Sequence, residues 1–246
     1  MIRKGKRVNP ILGLPGMSHN VIRLDWLHAV DMGVSADFVG SLFWLLERKF
    51  DGATRKERVS RLQRRLATWY RDNGVQDRVK SLTPTAIKPS IGKWPKLKCS
   101  AAALRKIIPF AKALADDLCA GGNAEEATAK AAMAQLHMCY ETLRSDAPFP
   151  AATRRDAGFK FAQLYAGLAR LNGDGWRIKP KMHQFLEAVL EGGDPTASWT
   201  YRDEDWGGTA AALGRSRGSS QTPSGVSKAI LAHFRMHAPI RMLSES

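Results

Sequence analysis

The stretch Val21-Ile22-Arg23-Leu24-Asp25-Trp26-Leu27-His28-Ala29-Val30-Asp31-Met32-Gly33-Val34 decides how the rest of the chain is interpreted. Its first residues are largely apolar and lead directly to Asp25, with His28 three residues later. This pattern is typical of a buried strand at 21–26 whose end presents a carboxylate beside an imidazole. A second interpretation stays open, in which Asp25 caps the N-terminus of a helix and His28 is a half-buried packing residue.

A second block that ends in acidic residues lies later in the chain. It comprises Lys179-Pro180-Lys181-Met182-His183 and, after a gap, Trp199-Thr200-Tyr201-Arg202-Asp203-Glu204-Asp205-Trp206-Gly207. Together the two blocks resemble the catalytic regions of DDE transposases, particularly those of the CACTA-type group. Asp25 and His28 match the Asp-x-x-His motif around that family's second acid. Glu204, with Gly207 three residues later, matches the spacing around its third acid. The resemblance covers these two blocks and not the whole chain.

The resemblance implies an RNase H-like core and a site for Mg²⁺ or Mn²⁺ ions that cleaves and transfers DNA strands. Carboxylates bind such hard cations, which orient the attacking oxygen and stabilise the leaving oxygen. The resemblance makes Asp25 and Glu204 the catalytic metal ligands and places His28 and His183 near the metals. The acids at 203–205 have a second explanation, because negative charge at a helix N-terminus is favourable without any metal.

One part of the family's pattern has no counterpart in this sequence. None of the 24 residues before Asp25 is Asp or Glu, so the family's first catalytic acid is missing. We therefore expect an incomplete metal site in a transposase-derived, DNA-associated chain. Such a chain would be a remnant of a Mg-dependent DNA endonuclease or transposase that is inactive alone. A homo-oligomer, or a partner chain that supplies the missing half, is compatible with this expectation.

Positive charge is concentrated in one region of the sequence. The 246 residues carry a formal net charge of +15, and residues 53–106 hold fifteen Lys and Arg against three Asp and Glu. Such an excess favours DNA as a partner, through phosphate neutralisation and the release of counterions. The side chains expected to contact nucleic acid are Arg55, Arg58, Arg61, Arg64, Arg65, Lys93, Lys96 and Lys98.

Two other interpretations of this basic region stay open. The chain is then either a non-enzymatic helical nucleic-acid-binding or scaffold protein that uses residues 53–106, or a helical protein whose basic residues are only a solvated surface. Trp94 within the region either anchors it to the core or stacks on a base.

Apolar residues recur at intervals of three and four over most of the chain. They predict helices at 36–47, 54–72, 100–120, 123–145, 150–172 and 179–190. The expected fold class is mainly α, with a helical bundle inserted into an incomplete RNase H-like α/β core of two to three short strands near 21–26 and 198–201. The predicted regions are 1–52 for a lead-in, strand and buried helix, 53–175 for the basic helical insertion, 176–215 for the rest of the core, and 216–246 for a linker and terminal helix.

Cysteine content and hydropathy indicate where the chain resides. Cys99, Cys119 and Cys139 are odd in number and form no Cys-x-x-Cys pair, which indicates a reducing, intracellular environment. No uninterrupted apolar stretch reaches the length of a membrane span, and the basic residues at 3–7 are not followed by the apolar core of a signal peptide. With DNA as the expected partner, we predict a nuclear location and no membrane association.

Overall fold

The computed structural model describes residues 24–88, 90, 92–143, 150–190, 194–197 and 200. Within these residues the chain forms helices and loops without any strand, so the mainly α prediction is confirmed. Their α-helices are α1 (Ala36–Leu46), α2 (Arg55–Asp72), α3 (Pro84–Ile87), α4 (Ala101–Leu118), α5 (Ala124–Glu141), α6 (Pro150–Leu171) and α7 (Lys181–Leu190). A π-helical segment, Leu27–Ser35, precedes α1, and short 3₁₀ turns lie at Glu47–Lys49 and Pro195–Ala197.

The helices begin where side chains satisfy backbone N–H groups that a helix start leaves free. At the start of α2, Thr54 and Glu57 form a capping box, in which each side chain accepts a backbone hydrogen bond from the other residue. At the start of α5, Asn123 Oδ1 accepts the N–H of Glu126 at 3.0 Å. The six predicted helices correspond to α1, α2 and α4 to α7, and no end differs from its predicted position by more than four residues.

The predicted strand at 21–26 is wrong over the part that the structure describes. Leu24 and Asp25 have no regular structure, and Trp26 begins a helix. The carboxylate of Asp25 accepts the N–H of Leu27 at 3.2 Å and the N–H of His28 at 3.3 Å. Because these are donors of a first helical turn, the acid after the apolar run starts a helix. Residues 21–23, 198–199 and 201 lie outside the described residues.

The hydrophobic core is centred on α1, in which every residue except Trp44 is buried. The ring of Phe38 lies 5.1 Å from the ring of Phe161 in α6 and 5.3 Å from that of Trp176, measured between centroids. Phe161 in turn lies 5.4 Å from Phe185 of α7. Helices from the predicted 53–175 insertion therefore share one core with α1 and α7, and the boundaries of the predicted regions stay a prediction.

A glycine in α1 allows a loop to pack directly against the helix. A Cβ added to Gly40 would clash with the backbone of Lys96 and Leu97. In this close approach, the N–H of Leu97 donates to the carbonyl oxygen of Ala36 at 2.8 Å. The neighbouring N–H of Lys96 donates to the carbonyl oxygen of Ile87 in α3, also at 2.8 Å. The loop between α3 and α4, which carries Trp94, is therefore fixed to both helices.

One stretch of the described chain, Leu27–Lys49, has the length and mean hydropathy (1.4) of a helix able to cross a membrane. In the fold, 89% of its most apolar window is buried by other parts of the chain. A core helix meets the same criterion of length and hydropathy, so this stretch is weak support for membrane association.

Candidate nucleic-acid interface

Asp25 and His28 form a paired acid and imidazole at the start of the π-helical segment. The Nδ1 of His28 contacts Asp25 Oδ2, in addition to the two backbone N–H groups that the carboxylate accepts. The side chain of His28 is 55% exposed and that of Asp25 is 18% exposed. The helix-capping interpretation of Asp25 is therefore confirmed, and the imidazole is more exposed than a packing residue would be.

The two blocks that resemble a transposase meet in the fold through a lysine. The Nζ of Lys181, at the start of α7, donates to the carbonyl oxygen of His28 at 2.7 Å. The rings of Trp26 and Phe185 lie 6.4 Å apart, which is a second contact between the start of the π-helical segment and α7. His183, by contrast, has a side chain that is 79% exposed and pairs with Glu187 of its own helix at 3.0 Å. The structure thus brings Lys181 to His28 and leaves His183 on the surface.

The predicted metal site requires Glu204 as well as Asp25. Glu204 lies outside the described residues, so its separation from Asp25 stays a prediction. Among the residues that the structure describes, no group of three or more His, Cys, Asp or Glu side chains converges as metal ligands do. The Asp25 carboxylate contacts His28 there and accepts the backbone N–H groups of Leu27 and His28.

Three lysines surround the buried Asp37 beside this pair. The Nζ of Lys179 lies 2.7 Å from Asp37 Oδ1, and the Nζ of Lys96 lies 3.9 Å from the same oxygen. Lys96 also donates to the carbonyl oxygen of Met32 at 2.8 Å. Burial and the nearby charge of Lys96 lower the pKa of Lys181, whereas Asp37 acts in the opposite direction. Lys96, a predicted nucleic-acid contact, therefore has an internal role that its position in the sequence does not reveal.

The first predicted arginines of α2 are held by groups in the segment between α1 and α2. The Nε of Arg55 lies 2.6 Å from Glu47 Oε1, and Glu47 is buried. Arg58 donates from Nη1 to the carbonyl oxygen of Gly52 at 3.3 Å. Because a buried carboxylate is costly without a partner, Arg55 stabilises Glu47 as well as presenting charge to the surface.

The remaining predicted arginines of α2 lie on its outer face. Arg65 pairs with Asp117 of α4 at 2.7 Å, and Arg61 lies 4.0 Å from Asp51. Arg64 is exposed. Exposed ion pairs of this kind contribute little to stability, roughly 0–1 kcal/mol, so these guanidinium groups can exchange their partners for a phosphate at small cost.

Lys93 and Lys98 differ from Lys96, which lies between them. Both are exposed, whereas Lys96 is half-buried and contacts Met32 and Asp37. The backbone N–H of Lys98 donates to the carbonyl oxygen of Ala86 at 2.9 Å, which fixes the main chain and leaves the side chain in solvent. Two of the three predicted loop lysines are therefore placed for contact with an external anion.

A groove of about 710 Å³ lies between the end of α1 and the loop that joins α3 to α4. We call it the tryptophan groove, because Trp44 and Trp94 both line it. Its basic lining residues are Arg48, Arg55, Lys88 and Lys93. Among the described residues of the lining Asp174 is the one acid, so the charge of this part of the lining is strongly positive.

Both tryptophans of the groove are packed against cations. Above the ring of Trp44, the charged groups of Arg48 and Lys88 lie 4.4 and 4.3 Å from the centroid. The guanidinium of Arg177 lies 3.9 Å from the centroid of Trp94, whose Nε1 donates to the carbonyl oxygen of Gly173 at 2.8 Å. These distances are those of cation–π contacts. Trp94 is half-buried, so it anchors its loop while remaining part of the groove wall.

Three members of the groove, Arg48, Lys88 and Trp44, were not predicted from the sequence. One signal was present, because Arg48 follows Trp44 by four residues, a spacing that places two side chains on one face of a helix. Lys88 lies 44 residues after Trp44, and a contact over that separation depends on how α3 packs against α1.

The geometry therefore indicates a basic, aromatic-lined groove, and an Asp–His pair at the start of a helix. No protein-family model, no curated protein and no solved structure matches this chain.

Proposed function

We propose that this chain is a nucleic-acid-binding protein whose phosphate contacts come from the tryptophan groove and the exposed basic residues of α2. The observation that carries the proposal is the groove itself, whose described lining contains four cations, two tryptophans and one carboxylate. Cations bind the phosphates, and aromatic rings contact bases or sugars, which is the combination typical of nucleic-acid-binding surfaces.

The distribution of charge supports a polyanion rather than a small acid as the ligand. Residues 53–106 carry fifteen of the 38 Lys and Arg residues with only three of the 23 Asp and Glu residues. A polymer of phosphates releases condensed counterions at each contact, so its binding gains from many exposed cations at once. The exposed Arg64, Lys93 and Lys98 extend the positive surface beyond the groove.

The test is fluorescence anisotropy with labelled DNA, in duplex and single-stranded form, at several salt concentrations. We expect the double variant R48Q/K88Q to bind more weakly than the wild type. Its plot of log affinity against log salt should be less steep by about one unit for each phosphate that the variant no longer neutralises. The matched control is R155Q/R170Q, which removes two exposed charges of α6 that lie outside both the groove lining and residues 53–106. Absence of DNA binding by the wild type, or an equal weakening in the control, would refute the proposal.

A second candidate function follows from the contact between Lys181 and His28. This contact supports the hypothesis of a transposase-derived remnant with an RNase H-like core, because it joins the two blocks that resemble the family. On this hypothesis Asp25 and Glu204 bind Mg²⁺ or Mn²⁺, and a second copy or a partner chain completes the site. The chain would then act on DNA in the nucleus and would be inactive alone.

Titration with Mn²⁺ tests this second candidate. Asp25→Asn keeps the capping function of the side chain, since Asn and Asp cap helices about equally well, but it removes the charge. If the hypothesis is correct, both Asp25→Asn and Glu204→Gln weaken Mn²⁺ binding. The thermal stability of Asp25→Asn should fall only by the contribution of the lost ion pair with His28. Mn²⁺ binding that neither variant affects would exclude these ligands.

A further inference from the structure

We infer that the tryptophan groove takes a single-stranded segment of nucleic acid, with a base stacked against Trp94 and the adjoining phosphates held by Arg48, Lys88 and Lys93. The inference rests on the proposed function and names its substrate class. Positive charge alone does not distinguish a duplex from a single strand as the ligand, because both present phosphates.

The dimensions of the groove favour a single strand. A volume of about 710 Å³ is that of a cleft for a small molecule or a few groups of a polymer. Duplex DNA is recognised by elements that project into its grooves or cross its backbone, such as a helix in the major groove. The tryptophans here line a concavity instead. An aromatic ring inside a cleft reaches a base only if that base is unstacked, as in a single strand, loop or end.

The surroundings of the two rings point to Trp94 as the stacking platform. Trp44 already has the charged groups of both Arg48 and Lys88 within 4.4 Å of its ring centroid. A Cβ on Gly175 would come within 2.9 Å of the same ring, so a glycine there is needed for close packing. The ring of Trp44 therefore orients these two cations, and we do not assign it the role of stacking on a base.

Trp94 is half-buried and held in a defined orientation, and among the described residues it has one cation over its ring where Trp44 has two. The Nε1 of Trp94 donates to the carbonyl oxygen of Gly173 at 2.8 Å, and Arg177 stacks at 3.9 Å from its centroid. Its loop is fixed through the backbone hydrogen bonds of Lys96 and Leu97. A ring that is ordered before binding gives up little conformational freedom when a base stacks on it, so more of the stacking energy appears as affinity.

Arg48, Lys88 and Lys93 line the same groove as Trp94 and can contact the phosphates next to a base that stacks on its ring. Lys93 precedes Trp94 in the loop and is exposed, while Arg48 and Lys88 converge on Trp44 in the same groove. Asp174, the acid of the lining, is exposed and close in sequence to the Gly173 anchor of Trp94. A strand with its uncharged base on Trp94 and its phosphates at Arg48, Lys88 and Lys93 places the negative charges on the cations rather than on Asp174.

The experiment compares the affinities of a labelled oligo(dT) single strand and a duplex of the same length for the full chain. We expect the single strand to bind more tightly. Trp94→Leu should weaken single-strand binding by about 5-fold or more and leave duplex binding unchanged, and Trp94→Phe should restore most of the affinity. Trp69→Phe is the control, because Trp69 packs against Phe110 of α4 and does not line the groove.

A second measurement keeps the inference testable if Trp94→Leu does not fold. The wild-type chain is irradiated with a single strand that contains 5-iododeoxyuridine, and the cross-linked peptide is identified by mass spectrometry. A cross-link within residues 92–98 supports the inference, and cross-links only at other segments overturn it. Equal affinity for duplex and single strand, without any effect of Trp94→Leu, also overturns it while leaving the proposed function intact. Failure of both nucleic acids to bind refutes both.

Discussion

The hydroxyl of Tyr140 in α5 donates a hydrogen bond of 2.5 Å to the buried carboxylate of Asp31 in the π-helical segment. The same hydroxyl lies 2.9 Å from the Oγ of Ser35. Three polar side chains from two distant parts of the sequence therefore form one network in the core. Buried polar groups are stabilising only while their partners are present, because each has given up its hydrogen bonds to water.

We expect Tyr140→Phe to lower the free energy of unfolding by about 1–3 kcal/mol, because the buried Asp31 is deprived of a hydrogen-bond donor. Urea denaturation measures the change. The control is Tyr165→Phe, since the hydroxyl of the buried Tyr165 makes no hydrogen bond within the described residues. An equal decrease in both variants would mean that the effect comes from packing rather than from the Asp31 hydrogen bond.

Cys139 makes stability depend on pH in the alkaline range. Burial raises the pKa of this thiol from about 9.0 to about 12. Above pH 9 the unfolded chain releases this proton and the folded chain keeps it, so the stability contributed by the neutral thiol falls as the pH rises towards 12. We expect this contribution to decrease by about 1 kcal/mol between pH 8 and pH 10.

The measurement is the free energy of unfolding at pH 8 and pH 10 for the wild type and for Cys139→Ala. Other groups titrate in this range, and the comparison removes them because both chains carry them. The stability of the variant should fall less over the interval than that of the wild type. Parallel decreases in the two proteins would show that Cys139 is not the titrating group.

The lysines around Asp37 are coupled through their charges. Burial and the charge of Lys96 lower the pKa of Lys181, and Asp37 raises it. We therefore expect Lys96→Gln to raise the pKa of Lys181 and Asp37→Asn to lower it further. Titration of the Lys181 side chain, followed by NMR of its ¹³Cε signal, gives both values. Lys106→Gln is the control, because Lys106 is exposed on α4 and is not among the charges that affect Lys181. An identical pKa in all four proteins would contradict the coupling.

Two glycines in helices should respond in opposite ways to the same substitution. Gly40→Ala places a methyl group against the backbone of Lys96 and Leu97, which cannot rotate away, so we expect the free energy of unfolding to fall by at least about 2 kcal/mol. Gly167→Ala in α6 meets only Thr128 at 4.0 Å, and Ala has the higher helix propensity, so an increase of about 0.5–1 kcal/mol is expected.

Thermal and urea unfolding of the two alanine variants give the comparison. The substitution is chemically the same, so the difference between the variants reports the close approach at Gly40. Gly40→Ala should also weaken DNA binding, because the loop that carries Trp94 packs at this point. A stable Gly40→Ala variant with unchanged binding would show that the loop tolerates displacement.

Most helices were predictable from the sequence, because their signals are local. Leu62 and Leu66 are spaced by four residues on the buried face of α2, and Thr54 with Glu57 marks its start. The π-helical segment was not predictable in this way. Asp25 follows an apolar run that fits a strand equally well, and only the hydrogen bonds to Leu27 and His28 show that it caps a helix.

The candidate interface was predictable in its charge but not in its geometry. The surplus of Lys and Arg in 53–106 identified the basic region, and Arg55, Lys93 and Trp94 do line the groove. Lys96 instead contacts Asp37, because the loop packs against α1 at Gly40. Such contacts depend on tertiary packing between residues that are far apart in sequence, for which local periodicity carries no information.

The packing of Phe38 has a consequence for how the chain is synthesised. Its aromatic partners Phe161 and Trp176 come 123 and 138 residues later in the sequence. At about 5–20 residues per second, a ribosome needs roughly 6–28 s to deliver them. Throughout that interval α1 has only its earlier partners, such as Phe110 of α4 and the loop at Leu97, and its ring contacts with Phe161 and Trp176 are missing. Part of the apolar surface of α1 therefore stays exposed until the second half of the chain emerges, which makes α1 a segment prone to aggregation during synthesis.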